Sequence, residues 1–398
     1  MNGYRPSQPT RRVLHVTSGM NRGGVETWIM NVLRRIDPSV LGFDFLVETD
    51  AEADYDQEIR HLGGRILRSP RFRHRARASA RLVQVLRRHG PYHAVHAHGR
   101  HDAGWPISVA RAAGVPVRIG HVHNIKQGHD KNRLQRSYKR LMKRLLLANA
   151  SWILGCSMAA LRSLYGDRVE RASKLEMLPY GIDMDAFQRR DSRASVQAEF
   201  GLPPQSRILG HVGRFVWEKN HGFLLQVFAE LARRDPRWHL LLVGDGRLRA
   251  ELEAQVQALG VGARVRFAGV RADVPDLMSA MDAFAFPSHM EGFGLVAVEA
   301  QALGVPCVLG THLPAELDAH RASVTRLALS AGPPAWADAV ERAARAAGTG
   351  DADRAVHSAA AHAAVAASHF NIDRSVATLI SRYYGIGPVA DGDRSVLP

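Results

Sequence analysis

The chain has 398 residues, 46% apolar, 23% charged and 7% aromatic, and its 53 Lys and Arg outweigh 38 Asp and Glu for a net charge of +15. These proportions exclude a disordered chain, and 35 glycines with 19 prolines exclude a collagen-like or linker-dominated one. At this length two or three domains are expected, each able to bury a core of its own.

In chain order, Val13–Thr17 reads as a buried strand leading into the loop SGMNRGG. After it, Val25, Trp28, Ile29, Val32, Leu33 and Ile36 recur at helical spacing. Further strands fit Phe43–Val47, Ala94–His98, Val117–His121 and Trp152–Cys156, with helical patterns around Leu82–Arg88 and Leu134–Leu147. The pattern restarts at Ile208–Val212 and continues through His239–Val243, Val265–Phe267, Ala283–Phe286 and Cys307–Leu309, with helices between. Strand and helix alternating in this way predict parallel sheets covered by helices, and two such passages predict two Rossmann-like α/β domains. The boundary is expected in the polar stretch Asp191–Ser206, giving domains over residues 1–190 and 191–370. The alanine-rich segment 355–367 reads as a helix. So does Ile372–Tyr384, inside a segment 371–398 that is expected to return to the first domain as a strap.

Charge is unevenly placed. Residues 1–190 hold 33 Lys and Arg against 16 Asp and Glu, whereas residues 191–398 hold 20 against 22. The whole excess lies in the first half, which predicts an anionic partner for it. On the helix 133–145, Leu134, Tyr138, Leu141 and Leu145 form an apolar stripe with Arg133, Arg136, Arg140 and Arg144 off it. That pattern fits a helix lying on an anionic membrane surface, and equally a core-facing stripe with a solvated basic face. Cys156 and Cys307 sit in apolar runs and read as core residues of a reduced, cytoplasmic protein. The first ten residues are polar, and Asn149, Ser151, Gly155 and Ser157 interrupt the run Leu145–Leu161, so no targeting segment or membrane span is expected.

Three runs carry chemistry. In HMEGFGLVAVEAQALGVPCVLG, Glu291 and Glu299 are eight positions apart around a GFG loop. With a helix starting near Phe293, free N–H groups point into the loop mouth and favour an anion or sugar hydroxyls, which Glu291 and Glu299 would accept. The same spacing fits a plain helix with one loop glutamate and one surface glutamate. In GHVGRFVWEKN, Arg214 and Lys219 stand where a strand gives way to a helix and suit a diphosphate, though loop cations are also commonly solvated. In SGMNRGGVE, Gly19, Gly23 and Gly24 allow backbone to approach a ligand, or make a tight turn. Neither this run nor GDGR at 244–247 has the dinucleotide spacing, which argues against an oxidoreductase.

The ordered set GGVE, HVHN, LPYGID, VGRFVWEKN, LLVGDGRL, VRFAGVRADV and PSHMEGFGLVAVEAQALGVP resembles the retaining glycosyltransferases of family four, which have the GT-B fold. The opening VLHVTSGMNRGGVETWIMNVLRRID and the phrase GFDFLVETD resemble the bacterial exopolysaccharide and capsule branch. The resemblance spans about Arg12 to Tyr384. It implies two domains whose sheets face across a cleft, a nucleotide-sugar donor and a lipid-linked or oligosaccharide acceptor. It also implies that Arg214 and Lys219 hold the donor diphosphate and Glu299 the ribose. Glu291 with the backbone of Gly292, Phe293, Gly294 and Leu295 would hold the sugar, and Val270 and Arg271 would flank the base. Gly23 and Gly24 would lie against the diphosphate or acceptor, and His123 would lie near the donor sugar. Catalysis would fall to His123, Glu291, Arg214 and Lys219 without metal or other cofactor. Tyr180 and the segment THLPAEL depart from the wider family pattern.

Other readings are weaker. His96, His98, His101, His121 and His123 invite a metal site, but no carboxylate or cysteine completes a set. Asp54/Asp56 and Asp183/Asp185 read as solvated or capping residues. A basic nucleic-acid-binding protein fits the charge but lacks any recognition motif, and no nucleic acid is expected. A nucleotide-sugar epimerase would keep the fold and change the reaction.

Overall fold

The structure, a computed structural model, describes residues 11–123, 132–291, 293–348 and 351–386. The first sheet holds β1 (Arg11–Thr17), β2 (Leu41–Val47), β3 (Arg65–Arg68), β4 (Ala94–His98), β5 (Val117–Val122), β6 (Trp152–Gly155) and β7 (Leu175–Met177). Their order is β3-β2-β1-β4-β5-β6-β7, with every pairing parallel. The second holds β8 (Arg207–Val212), β9 (Trp238–Val243), β10 (Val265–Gly269), β11 (Ala283–Phe286), β12 (Cys307–Gly310) and β13 (Val324–Leu327). It runs β10-β9-β8-β11-β12-β13, again all parallel. Both sheets are covered by helices on both faces, so the central strands are near-continuous apolar runs such as LLLV and AFAF. Trp238 and Trp336 anchor the second core at 0% exposure, each contributing about 3 kcal/mol of apolar burial.

Helix starts follow local chemistry. Ser157 accepts from Ala160 N–H at the head of Met158–Tyr165, and Asn132 accepts from Gln135 N–H at the head of Arg133–Asn149. In Arg133–Asn149 the core-facing residues are Met142 and Leu146, while Leu134 and Leu141 are 80% and 52% exposed. The core-facing alternative for the stripe is therefore wrong at those two leucines. Of the two roles expected for Asp56, solvated or capping, the first is wrong: it is fully buried, bonded to Arg68 at 2.8 Å, and accepts from Ala53 N–H at 3.2 Å at the head of its helix.

The chain divides into two compact units. One contains the residues up to Gly181 together with those from Ile372 onward, and the other is Ile182–Asn371. The division falls before the expected Asp191, because Ile182–Arg190 is bonded into the second unit. Ile182 N–H donates to Phe370 O at 2.7 Å, and Arg190 pairs with Asp276 at 3.1 Å. In the first unit, helix Ile372–Tyr383 buries Tyr383 and Arg382, the latter held by Glu176 at 2.6 and 2.7 Å. One face of the first sheet carries a row of imidazoles. His15 is in register with His96, His98 with His121, and the period of two adds His123. Cys156 and Cys307 are buried free thiols, and among the described residues no helix is long and apolar enough to cross a membrane.

Candidate active site

In an open parallel sheet the ligand crevice lies beyond the carboxyl ends of the strands, where strand order reverses. In the second unit that reversal falls between β8 and β11, which pair directly. Loops 213–220 and 287–294 leave those strands side by side, and they carry most of the residues singled out in the sequence.

The first loop is braced from behind. A Cβ on Gly244, whose φ is +132°, would stand 2.2 Å from Gly213 O, and one on Gly246 would stand 2.5 Å from Phe215 O. Only glycine permits that approach, so GDG is a packing device for the loop before it. Asn220, left-handed at φ 56°, donates from Nδ2 to Pro287 O at 3.0 Å, and His289 N–H donates to Glu218 O at 2.8 Å. The two loops are thereby tied to each other.

That tie brings together two residues 72 positions apart. Lys219 Nζ lies 2.8 Å from Glu291 Oε1 and 4.9 Å from the Phe286 ring centre. Only 18% of the lysine side chain and 9% of the glutamate side chain are exposed, so water screens the pair less than a surface one. Arg214, on the same loop, is exposed and makes no side-chain hydrogen bond or ion pair with described residues. The arrangement offers one shielded and one open cation to a diphosphate, with a carboxylate beside them for hydroxyls.

Glu299 lies one helix away, in Leu295–Ala302. Burial pushes its carboxyl up to about 7, against the pull of Lys219. The folded unit thus holds a proton between pH 4.5 and 7 that the unfolded chain releases, and its stability falls as pH rises through that window. Glu299→Gln should therefore stabilise the second unit at pH 8 and leave it unchanged at pH 5. Because the side chain keeps partial exposure, the gain should be about 1–2 kcal/mol. Calorimetry at the two pH values checks this, and an equal shift at both would refute it.

The helix itself begins at Leu295, two residues later than expected, because Phe293 is buried against Phe370 at 5.4 Å as an anchor. Gly294 caps it at φ 92°; Ala297 N–H donates to Gly294 O at 2.9 Å, which leaves the N–H groups of Leu295 and Val296 as the ones at the helix head without an intrahelical acceptor. Gly292 lies outside the described residues. Val270 is 68% exposed after β10, whereas Arg271 is held charged by Glu199 at 2.7 Å and Asp273 at 2.6 Å.

In the first unit, Gly23 is extended and caps helix Gly24–Arg35, and neither it nor Gly24 is left-handed. A Cβ on Gly23 would meet the Glu26 carboxylate at 2.5 Å, and one on Gly24 would meet nothing within 4 Å. His123 is 9% exposed and both its nitrogens are engaged, Nε2 with His98 Nδ1 at 2.8 Å and Nδ1 with the Tyr180 hydroxyl at 2.5 Å. Contact with a sugar requires one of these bonds to be exchanged. Sequence reasoning missed the stack of Trp217, 55% exposed, on His289 at 4.5 Å. It also missed Tyr180 as partner of His123. Their signal was position alone, inside the VWEKN, SHMEG and LPYGID runs.

Comparison with known proteins identifies the family and the fold. The glycosyl transferase 4-like domain matches residues 11–181, and the group 1 glycosyl transferases match residues 192–350. The putative glycosyltransferase EpsF of Bacillus subtilis (strain 168) is 39% identical over 339 residues, 84% of this chain and 88% of that protein. The chain belongs to the family-four glycosyltransferases. A second relative of this transferase is the Escherichia coli UDP-Gal:alpha-D-GlcNAc-diphosphoundecaprenol alpha-1,3-galactosyltransferase. It is 27% identical over 238 residues, 57% of this chain and 60% of that one. In fold, the transferase is similar to Anabaena Alr3699/HepE crystallised with UDP, at a TM-score of 0.76 and 19% identity, covering 94% of this chain and 100% of that one. The fold is GT-B.

Proposed function

We propose that this transferase moves a sugar from a UDP-linked donor onto a growing, lipid-linked exopolysaccharide or capsule glycan, with retention at the anomeric carbon and without metal. The observation that carries this is the shielded Lys219–Glu291 pair beside the open Arg214, at the crevice where β8 and β11 diverge. Breaking the glycosyl–phosphate bond builds negative charge on the diphosphate, and preorganised cations with helix N–H groups stabilise it where a metal otherwise would. In the proposed step the acceptor hydroxyl oxygen bonds to the anomeric carbon as the bond to phosphate breaks. The hydroxyl proton passes to the departing phosphate, on the face from which it leaves.

The UDP preference draws on the UDP bound to the HepE structure and on the UDP-Gal donor in the Escherichia coli relative's name. The lipid-linked acceptor draws on that relative's diphosphoundecaprenol. Exposed Leu134 and Leu141 among Arg133, Arg136, Arg140 and Arg144 suit an anionic membrane surface, where such an acceptor resides. The exopolysaccharide role rests on the resemblance of the opening residues.

The test is a panel of UDP- and GDP-sugars with membrane-extract acceptor, with and without EDTA, and determination of the product anomer. The expected result is nucleoside diphosphate release that depends on acceptor, prefers UDP-sugars, ignores EDTA and yields the donor's anomeric configuration. Sugar isomerisation without acceptor would instead establish an epimerase, and inversion would overturn the stereochemical claim.

A further inference from the structure

Among the exposed large apolar side chains of the described residues, Trp217 is the one aromatic, with 55% of its surface open. A single exposed apolar side chain needs no explanation by itself, but this one is also held in place. It opens the short turn Trp217–Lys219, between β8 and the helix His221–Arg234. The turn is closed by Lys219 N–H donating to Val216 O and Asn220 N–H donating to Trp217 O, each at 3.1 Å. The indole stacks on His289, with ring centres 4.5 Å apart and planes 20° from parallel. His289 is itself fixed. Its N–H donates to Glu218 O at 2.8 Å, and His312 Nε2 donates to the neighbouring Ser288 O at 2.8 Å. The loops after β8, β11 and β12 thus converge beneath one face of the indole, and the open area belongs to the other face.

We propose that Trp217 is the platform on which a sugar ring of the acceptor stacks, with His289 as its positioning residue. This rests on the reading of the chain as a transferase to a glycan acceptor. The turn that carries Trp217 ends in Lys219, and His289 lies two residues before Glu291, so the stack borders the Lys219–Glu291 pair. A pyranose has a face of ring C–H groups, with its hydroxyls around the rim. Laid on an indole, that face leaves water while the hydroxyls keep their partners.

Two other rings take part in the reaction, and each has a different place. Val270, expected against the base, follows β10, which lies two strands from β8 and three from β11. At the usual strand spacing those are separations of roughly 10 and 14 Å, so the base and the indole belong to different ends of the crevice. The transferred sugar is met by polar groups, the Glu291 carboxylate and the N–H groups of Leu295 and Val296 at the helix head. Those groups hold hydroxyls. An open apolar face suits the remaining ring, which arrives and leaves still attached to its carrier and keeps its hydroxyls in water.

The test separates acceptor from donor. With membrane-extract acceptor and saturating UDP-sugar, Trp217→Ala should raise the acceptor KM about tenfold and change kcat by no more than about threefold. Trp217→Tyr should restore most of that affinity. His289→Ala should raise the acceptor KM about threefold, and His289→Phe, which keeps a stacking ring, should return it to the parent value. Binding is read apart from turnover in full-length chain labelled with 5-fluorotryptophan. There the Trp217 fluorine resonance, assigned by its loss in Trp217→Phe, should shift when oligosaccharide released from the extract by mild acid is added. If the parent transfers no sugar, the transferase reading fails and the fluorine titration still decides the platform. A parent-like acceptor KM in Trp217→Ala, no fluorine shift with the oligosaccharide, or a loss of UDP affinity by calorimetry in place of acceptor affinity overturns the proposal.

Discussion

Lys219→Ala should lower kcat/KM for sugar transfer by about 100- to 1,000-fold while the protein stays folded. The lysine does two things at once. Its ammonium sits 2.8 Å from Glu291, and it is the charge that pulls the Glu299 carboxyl down. Removing it takes one preorganised cation from the leaving diphosphate and leaves the Glu291 carboxylate unanswered beside the incoming donor, while Glu299, freed of that pull, holds its proton more firmly. Lys219→Arg should recover part of the rate, because the charge returns but a planar fork does not fit a point-charge position against the Phe286 ring. Arg214→Ala and Glu291→Ala should also lose turnover. Steady-state kinetics with a fixed donor and acceptor measure all four. If Lys219→Ala stays within threefold of the parent, the site assignment is wrong.

Acid should unfold the first unit before the second. His15, His96, His98, His121 and His123 all have their basicity lowered by burial, His98 to about 3. Below pH 6.5 the unfolded chain takes up protons that the folded unit refuses, so stability present above that pH is lost as the pH falls. By pH 5 each such group costs about 2 kcal/mol, and five cost on the order of 10 kcal/mol. That is comparable with the whole stability of a domain. In the second unit only His211 and His221, the latter lowered to about 4, are as deeply buried; His239, His289, His320 and His357 are lowered too but are less buried, so that unit loses less. Thermal unfolding at pH 7, 6 and 5 should show one transition moving down much faster than the other. Equal movement of both, or none, would contradict this account.

The central strands of both sheets were legible because they are apolar runs with helical patterns between them. The edge strands RILR, LEM and VTRL were not, since each is three or four residues long and mixes charge with apolar side chains. Only pairing with β2, β6 and β12 makes them strands. The expected boundary followed composition to Asp191, but covalent neighbours were outvoted by the bonds of Ile182 and Arg190 into the second unit. In the site, the loop chemistry of Arg214, Lys219 and Glu291 was readable, whereas the direct bond between Lys219 and Glu291 depends on which strands adjoin. His15 passed unnoticed as one histidine in a hydrophobic strand, and its company appears only once β1 lies beside β4.

The last helix bears on how the molecule is made. Tyr383 lies among His15, Phe43 and His96, and Arg382 neutralises Glu176, yet both leave the ribosome only after the whole of the second unit. Until then the first unit has a hole in its core and an unanswered carboxylate. Everything in Ile182–Asn371 has emerged by that time. The usual order, in which the N-terminal unit matures first, is thereby inverted: the part synthesised second can finish folding first. A nascent or prematurely terminated chain would present an incomplete first unit to the cell's quality control, and a stop codon a few residues before Tyr383 would be more damaging than its distance from the catalytic loops suggests.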